Sequence, residues 1–163
     1  MKQICFILCF IELFFSHCDR DYKATHDISV LPSFDMLLLD SITHLNAKQI
    51  PDGKPIVMMY FRPDCPHCRA ETKSLVGNIE LLKGIHIYFI SGSTIDDIKT
   101  FNAQYHLTQY SNITIGKDYE HSFLNIFDPG SIPYMAIYDS NKKLVKIYKG
   151  EVSITSLLTA THI

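Results

Sequence analysis

The chain has 163 residues, enough for one domain with a sizeable core. Hydrophobic residues make up 47% and charged residues 20%, an ordinary globular balance. With a net charge of −2 and no Lys/Arg run, a nucleic-acid partner is not expected.

The first seventeen residues differ in character from the rest. After Lys2 an apolar run extends from Ile4 to Phe15, interrupted only by Glu12. A membrane-spanning helix needs roughly 20 apolar residues, so this run fits the h-region of a secretory signal peptide over residues 1–17. The stretch "FFSHC" that follows resembles a bacterial lipobox, which implies lipidation of Cys18. Phe15 and His17 stand where that pattern favours Leu and a small residue. Residues 18–33 are polar and turn-rich and read as a tether, leaving 34–163 as the folded domain.

"FDMLLLDSITHLN" (34–46) reads as two short strands around a turn, and "PDGK" (51–54) as a further turn. "PIVMMYF" (55–61) is a continuous apolar run, the signature of a strand covered on both faces. From Pro66 to Leu82 the pattern is helical, with Ala70, Leu75, Ile79 and Leu82 on one side and Gly84 as the stop. "IHIYFIS" (85–91) is a second buried strand. "STIDDIKTFNAQY" (93–105) is a helix capped by Ser93 or Thr94, with Asp96 and Asp97 in its first turn as helix-terminus charges rather than metal ligands. A short strand (112–115), a short helix (120–127), a hairpin split by "SNK" and a closing helix (153–160) complete the chain. Strands alternating with helices argue for an α/β layer fold around a partly parallel sheet.

Five cysteines are present: Cys5, Cys9, Cys18, Cys65 and Cys68. Removal of the signal and lipidation of Cys18 leave only Cys65 and Cys68, in "RPDCPHCRAE" (62–71). One pair in one short motif is not a disulfide scaffold, so its reactivity explains it better. A structural zinc site needs four ligands; there is no second C-x-x-C, and the eight histidines show no H-x-x-x-H, so no metal is expected.

A redox centre fits the placement. Cys65 stands where a buried strand ends and a helix begins, facing free N–H groups and the positive end of the helix dipole, which stabilise a thiolate. Cys65 is then the attacking thiol, and Cys68, one turn deeper, resolves the mixed disulfide. Pro66 suits a first helical turn, and a cationic His67 beside the thiolate would favour the reduced form. Glu71, three residues after Cys68, is a candidate to take the Cys68 proton; the alternative is an ordinary surface acid.

"PIVMMYFRPDCPHCRAETKSL" resembles the active-site segment of thioredoxin-fold proteins, closest to the TlpA/ResA-like thiol–disulfide oxidoreductases. "SIPYMAIYD" is similar to that family's strand preceded by a cis-proline, and "KLVKIYKG" to its closing strand, so the likeness covers roughly residues 34–160. The resemblance implies a thioredoxin-like fold: a mixed central sheet flanked by helices, with a TlpA-like βα insertion and an N-terminal β extension. It implies that Pro66, Ile132 and Pro133 meet the substrate. No cofactor beyond the Cys65–Cys68 disulfide is implied. The partners implied are protein thiols or disulfides and a membrane electron donor or oxidant, at a bacterial cell envelope.

The chain also departs from the family. Asp64 replaces the usual tryptophan before the first cysteine, and its negative charge would partly oppose thiolate formation. Met59 falls where thioredoxins bury an acid. The Pro-His dipeptide is similar to that of DsbA oxidases, though those carry a larger helical insertion. The peroxiredoxin pattern, threonine before a single peroxidatic cysteine, is absent. A reductase is the leading expectation. A DsbA-like oxidase or isomerase, and a thioredoxin-like binding module without turnover, are the alternatives.

Overall fold

The computed structural model describes residues 26–161. In chain order the elements are β1 (Asp35–Leu38), β2 (His44–Asn46), β3 (Ile56–Tyr60), α1 (Pro66–Gly77), β4 (His86–Ser91), α2 (Ile95–Tyr105), β5 (Ile113–Lys117), α3 (Ser122–Phe127), β6 (Tyr134–Tyr138), β7 (Leu144–Lys149) and α4 (Ile154–Thr161). The strands form one sheet in the order β2-β1-β5-β4-β3-β6-β7. The β5-β4-β3 centre is parallel, and β6, β7, β1 and β2 join it antiparallel. This is the thioredoxin-like fold with a mixed sheet that the sequence leads one to expect.

The apolar runs become strands because both faces of the sheet are covered. All five residues of β3 and of β6 are buried. Alternation along β3 divides them between two cores. Val57 and Met59 face a cluster containing Leu75 of α1, Phe101 of α2 and Leu157 of α4. Ile56, Met58 and Tyr60 face a second cluster with Phe34 and with Phe123 and Phe127 of α3.

Local chemistry sets the helix ends. Thr94 caps α2 by accepting from the Asp97 N–H at 3.2 Å, with Asp96 and Asp97 in the first turn. Helix α1 stops at Gly77, earlier than the expected Leu82. The Asn78 N–H reaches back to the carbonyls of Leu75 and Val76, and a 3₁₀ turn over Ile79–Leu82 follows. That turn still buries Ile79 and Leu82, which explains why the apolar spacing reads as unbroken helix.

The domain also begins earlier than residue 34. Leu31 is buried, and its N–H donates to the Lys142 carbonyl at 2.9 Å. Val30 bridges to Lys143. Residues 29–31 therefore add an edge to the β6–β7 connection instead of belonging to the tether. The expected signal segment and Cys18 lie outside the described residues. Among the described residues no helix is long and apolar enough to cross a membrane.

Gly116 marks a close approach. A Cβ there would sit 2.7 Å from the Leu37 carbonyl oxygen and 2.8 Å from Met36 Cε, so only glycine lets β1 lie against β5.

Candidate active site

The site is built where β3 ends. The chain leaves the sheet at Phe61, whose N–H donates to the Ile90 carbonyl at 3.0 Å, and turns through Arg62–Asp64 into α1. Arg62 grips Asp64 with two bonds, Nε–Oδ1 at 3.0 Å and Nη2–Oδ2 at 2.8 Å. The Asp64 charge beside Cys65 is thereby largely offset, which removes the opposition to a thiolate that the bare sequence implies.

Cys65 is the N-cap of α1, with extended backbone (φ −75°, ψ 120°), and Pro66 opens the helix behind it. The Cys65 Sγ accepts from the Cys68 N–H at 3.4 Å, so one of the free donors of the first turn points at the sulfur. Cys65 is partly exposed, Cys68 is fully buried, and both are free thiols. Burial, above all, pushes the Cys68 thiol up to about 12, with the neighbouring Cys65 adding to it and an Arg62 backbone bond working the other way. Two thiols one turn apart are thus unequal: one partly exposed, with a helix N–H aimed at it, and one held protonated inside.

Glu71 is not a surface acid. It is 1% exposed. Its Oε2 accepts from the Val152 N–H at 2.8 Å, while its Oε1 is buried with no hydrogen-bond partner. Burial raises its carboxyl above the ordinary range; the Val152 bond opposes this and the Glu151 charge reinforces it. It lies one helical turn past Cys68, on the same side of α1. Met59, in the position where thioredoxins bury an acid, is fully buried in the core and brings no proton carrier.

His67 is exposed, and its Nδ1 lies 2.7 Å from Glu151 Oε1. The expectation of a ring free to stand beside the thiolate is therefore modified: the ring is held by a carboxylate 84 residues away. Glu151 is a site residue that sequence reasoning misses, because nothing local marks it.

The peptide bond between Ile132 and Pro133 is cis, and the Pro133 carbonyl accepts from the Gly150 N–H at 2.8 Å. Ile132 lines a groove of about 530 Å³ with Tyr60, Arg62, His121 and Leu124. Arg62 also lines a smaller, more polar cleft of about 360 Å³ with Asp64, Arg69 and Asp97. Arg62, three residues before Cys65, and Ile132, just before the cis-proline, thus line one groove. Its floor at Gly92 is tight: a Cβ there would come 2.9 Å from the Tyr60 hydroxyl. Among the described residues no cluster of His, Cys, Asp or Glu could hold a metal ion.

Comparison with known proteins fits this geometry. The AhpC/TSA family matches residues 29–154, most of the chain. The chain belongs to the AhpC/TSA family. Solved structures of similar shape include MTB DsbF, captured in mixed oxidized and reduced forms, at 19% identity and a TM-score of 0.68, covering 83% of this chain and 96% of that one. A secreted Mycobacterium tuberculosis disulfide oxidoreductase homologous to E. coli DsbE matches at 19% identity and a TM-score of 0.65, covering 78% of this chain and 92% of that one. StoA from Bacillus subtilis matches at 12% identity and a TM-score of 0.62, covering 81% and 98% respectively. At these identities the likeness is one of fold. No curated protein matches the chain.

Proposed function

We propose that this AhpC/TSA-family chain is a thiol–disulfide oxidoreductase that exchanges disulfides with protein substrates at the cell envelope, chiefly as a reductase. The observation that carries the reading is the asymmetry of the pair: Cys65 partly exposed at the N-cap of α1, Cys68 buried and pushed up to about 12.

In the reducing direction the Cys65 thiolate attacks a substrate disulfide. A Cys65–substrate S–S bond forms, and the substrate's other sulfur leaves as a thiolate that takes a proton from solvent. Cys68 then gives its proton to the Glu71 carboxylate and attacks Cys65 Sγ. The Cys65–Cys68 bond forms, the second substrate sulfur leaves, and the substrate has gained two electrons. A dithiol donor, in this reading a membrane redox protein, restores the pair by the reverse exchange. In this reading Ile132, Pro133 and Pro66 form the surface against which substrate backbone lies; the groove that Ile132 lines supports the placement of Ile132. A signal peptide over residues 1–17 would direct export and be removed, and lipid on Cys18 would then hold the domain at the membrane.

Insulin reduction with dithiothreitol tests the activity. The wild type should accelerate precipitation well above a Cys65→Ser variant. Equal rates would leave a thioredoxin-like binding module as the better description. For the anchor, a labelled fatty acid should enter the wild type and not a Cys18→Ser variant; equal labelling would remove it.

A further inference from the structure

Three consecutive residues after β7 touch three separate parts of the site. The Gly150 N–H donates to the Pro133 carbonyl at 2.8 Å. Glu151 Oε1 lies 2.7 Å from His67 Nδ1. The Val152 N–H donates to Glu71 Oε2 at 2.8 Å. The positive φ of Gly150, +93°, turns the chain so that this strap runs across the mouth of α1.

We propose that Glu151 is a positioning residue of the redox pair: its carboxylate holds the His67 ring and offsets its charge, making the Cys65–Cys68 disulfide a weaker oxidant than a Cys-Pro-His-Cys motif alone would be. The inference rests on the reading of Cys65 and Cys68 as an exchanging pair.

Charge sets the direction of the effect. The reacting form of the reduced pair is the Cys65 thiolate, which the disulfide lacks, so positive charge nearby favours that form and negative charge opposes it. His67 alone contributes zero or one positive charge. With Glu151 beside it the two together contribute one negative charge or zero. The difference has the same sign whichever state the ring is in. The other charges of the mouth do not take over this role. Arg62 and Asp64 neutralise each other, while Arg69, bound to the Pro63 carbonyl at 2.7 Å, and the buried Glu71 make no hydrogen bond or ion pair with His67 and are the same with or without Glu151. Lys149, at the end of β7, reaches toward Gly130 on the far side of the proline loop. The pair is also open to water, with side-chain exposures of 72% for His67 and 49% for Glu151, so it adds little to the fold. Removing it changes the charge of the site without unseating the domain.

The test is Glu151→Gln, read in two ways. Equilibration with glutathione, at a pH above that of half-maximal Cys65 alkylation, should shift up to about three-fold toward the dithiol, ~14 mV more positive at about 30 mV per tenfold change. Alkylation of Cys65 in the reduced protein by iodoacetamide, at the pH of half-maximal wild-type rate, should rise about 1.5-fold, as a three-fold stronger thiol acid goes from half to three-quarters ionised. Glu151→Asp should restore most of both. Glu80→Gln, which removes an acid paired with Lys83 beyond the other end of α1, should change neither. Wild-type values in Glu151→Gln, or an equal shift in Glu80→Gln, would overturn the inference. Alkylation needs no turnover. If the wild-type disulfide never forms, the exchange reading falls, and the alkylation ratio alone decides the role of Glu151.

Discussion

Replacing Glu71 by glutamine should flatten the pH dependence of stability. In the unfolded chain this carboxyl ionises near its ordinary 4.5, whereas in the fold burial raises it. Between those two values the native state keeps a proton that the unfolded state has released. Stability therefore falls as pH rises through that window, and the loss is complete above the folded value. The size follows from the contacts. An ionised Glu71 leaves one buried oxygen, Oε1, without a partner, at a cost of about 1–3 kcal/mol. The single bond from Val152 to Oε2 returns about 1 kcal/mol. The wild type should thus lose up to about 2 kcal/mol more than Glu71→Gln between pH 4 and pH 8. Every other titrating group is common to both proteins and cancels in the comparison. Urea unfolding of the reduced proteins at the two pH values measures it, as a difference of up to about 1 M in midpoint shift for a slope near 2 kcal/mol/M. At pH 4 the two midpoints should nearly coincide. Equal pH dependence, or a steeper fall in the variant, would refute the claim that this carboxylate is held ionised at a cost.

Other outcomes follow from the same geometry. Iodoacetamide at pH 8 should place one adduct on the reduced protein, at Cys65, because Cys68 is buried and stays a thiol below about 12. Peptide mass spectrometry showing both cysteines modified at similar rates would contradict the asymmetry. Gly116→Ala should cost about 1–3 kcal/mol, because its Cβ would meet the Leu37 carbonyl oxygen at 2.7 Å, backbone that cannot swing aside. Hydrogen exchange should show the loss concentrated in β1 and β2; a uniform loss, or none, would mean that the strand contact is not what the glycine serves.

Much of the site is legible in the amino-acid sequence. The five apolar residues of β3, a cysteine shortly after them and a proline at the next position define a strand-to-helix junction from composition alone. The thioredoxin-like order of elements follows from apolar runs and turn residues. What escapes is what depends on distant packing. Helix α1 reads too long because Ile79 and Leu82 keep facing the core from a 3₁₀ turn, so the break at Gly77 and Asn78 leaves the spacing intact. Residues 29–31 look like linker because pairing with the β6–β7 connection uses their backbone, which composition does not record. Glu71 can be named from its spacing to Cys68. Its burial cannot, because the cover comes from Val152, 81 residues on. Glu151 carries no signal at all: an acid after a glycine is ordinary at the surface, and only the fold brings it to His67.

The central claim is that Cys65 and Cys68 exchange a disulfide, and the reduction potential of the pair tests it most directly. Titration against glutathione and dithiothreitol buffers, read by quantifying free thiols, should give one two-electron transition. It should fall between about −270 mV and −120 mV, nearer the thioredoxin end than the DsbA end. A disulfide that stays closed below about −300 mV, or thiols that never pair, would contradict the account.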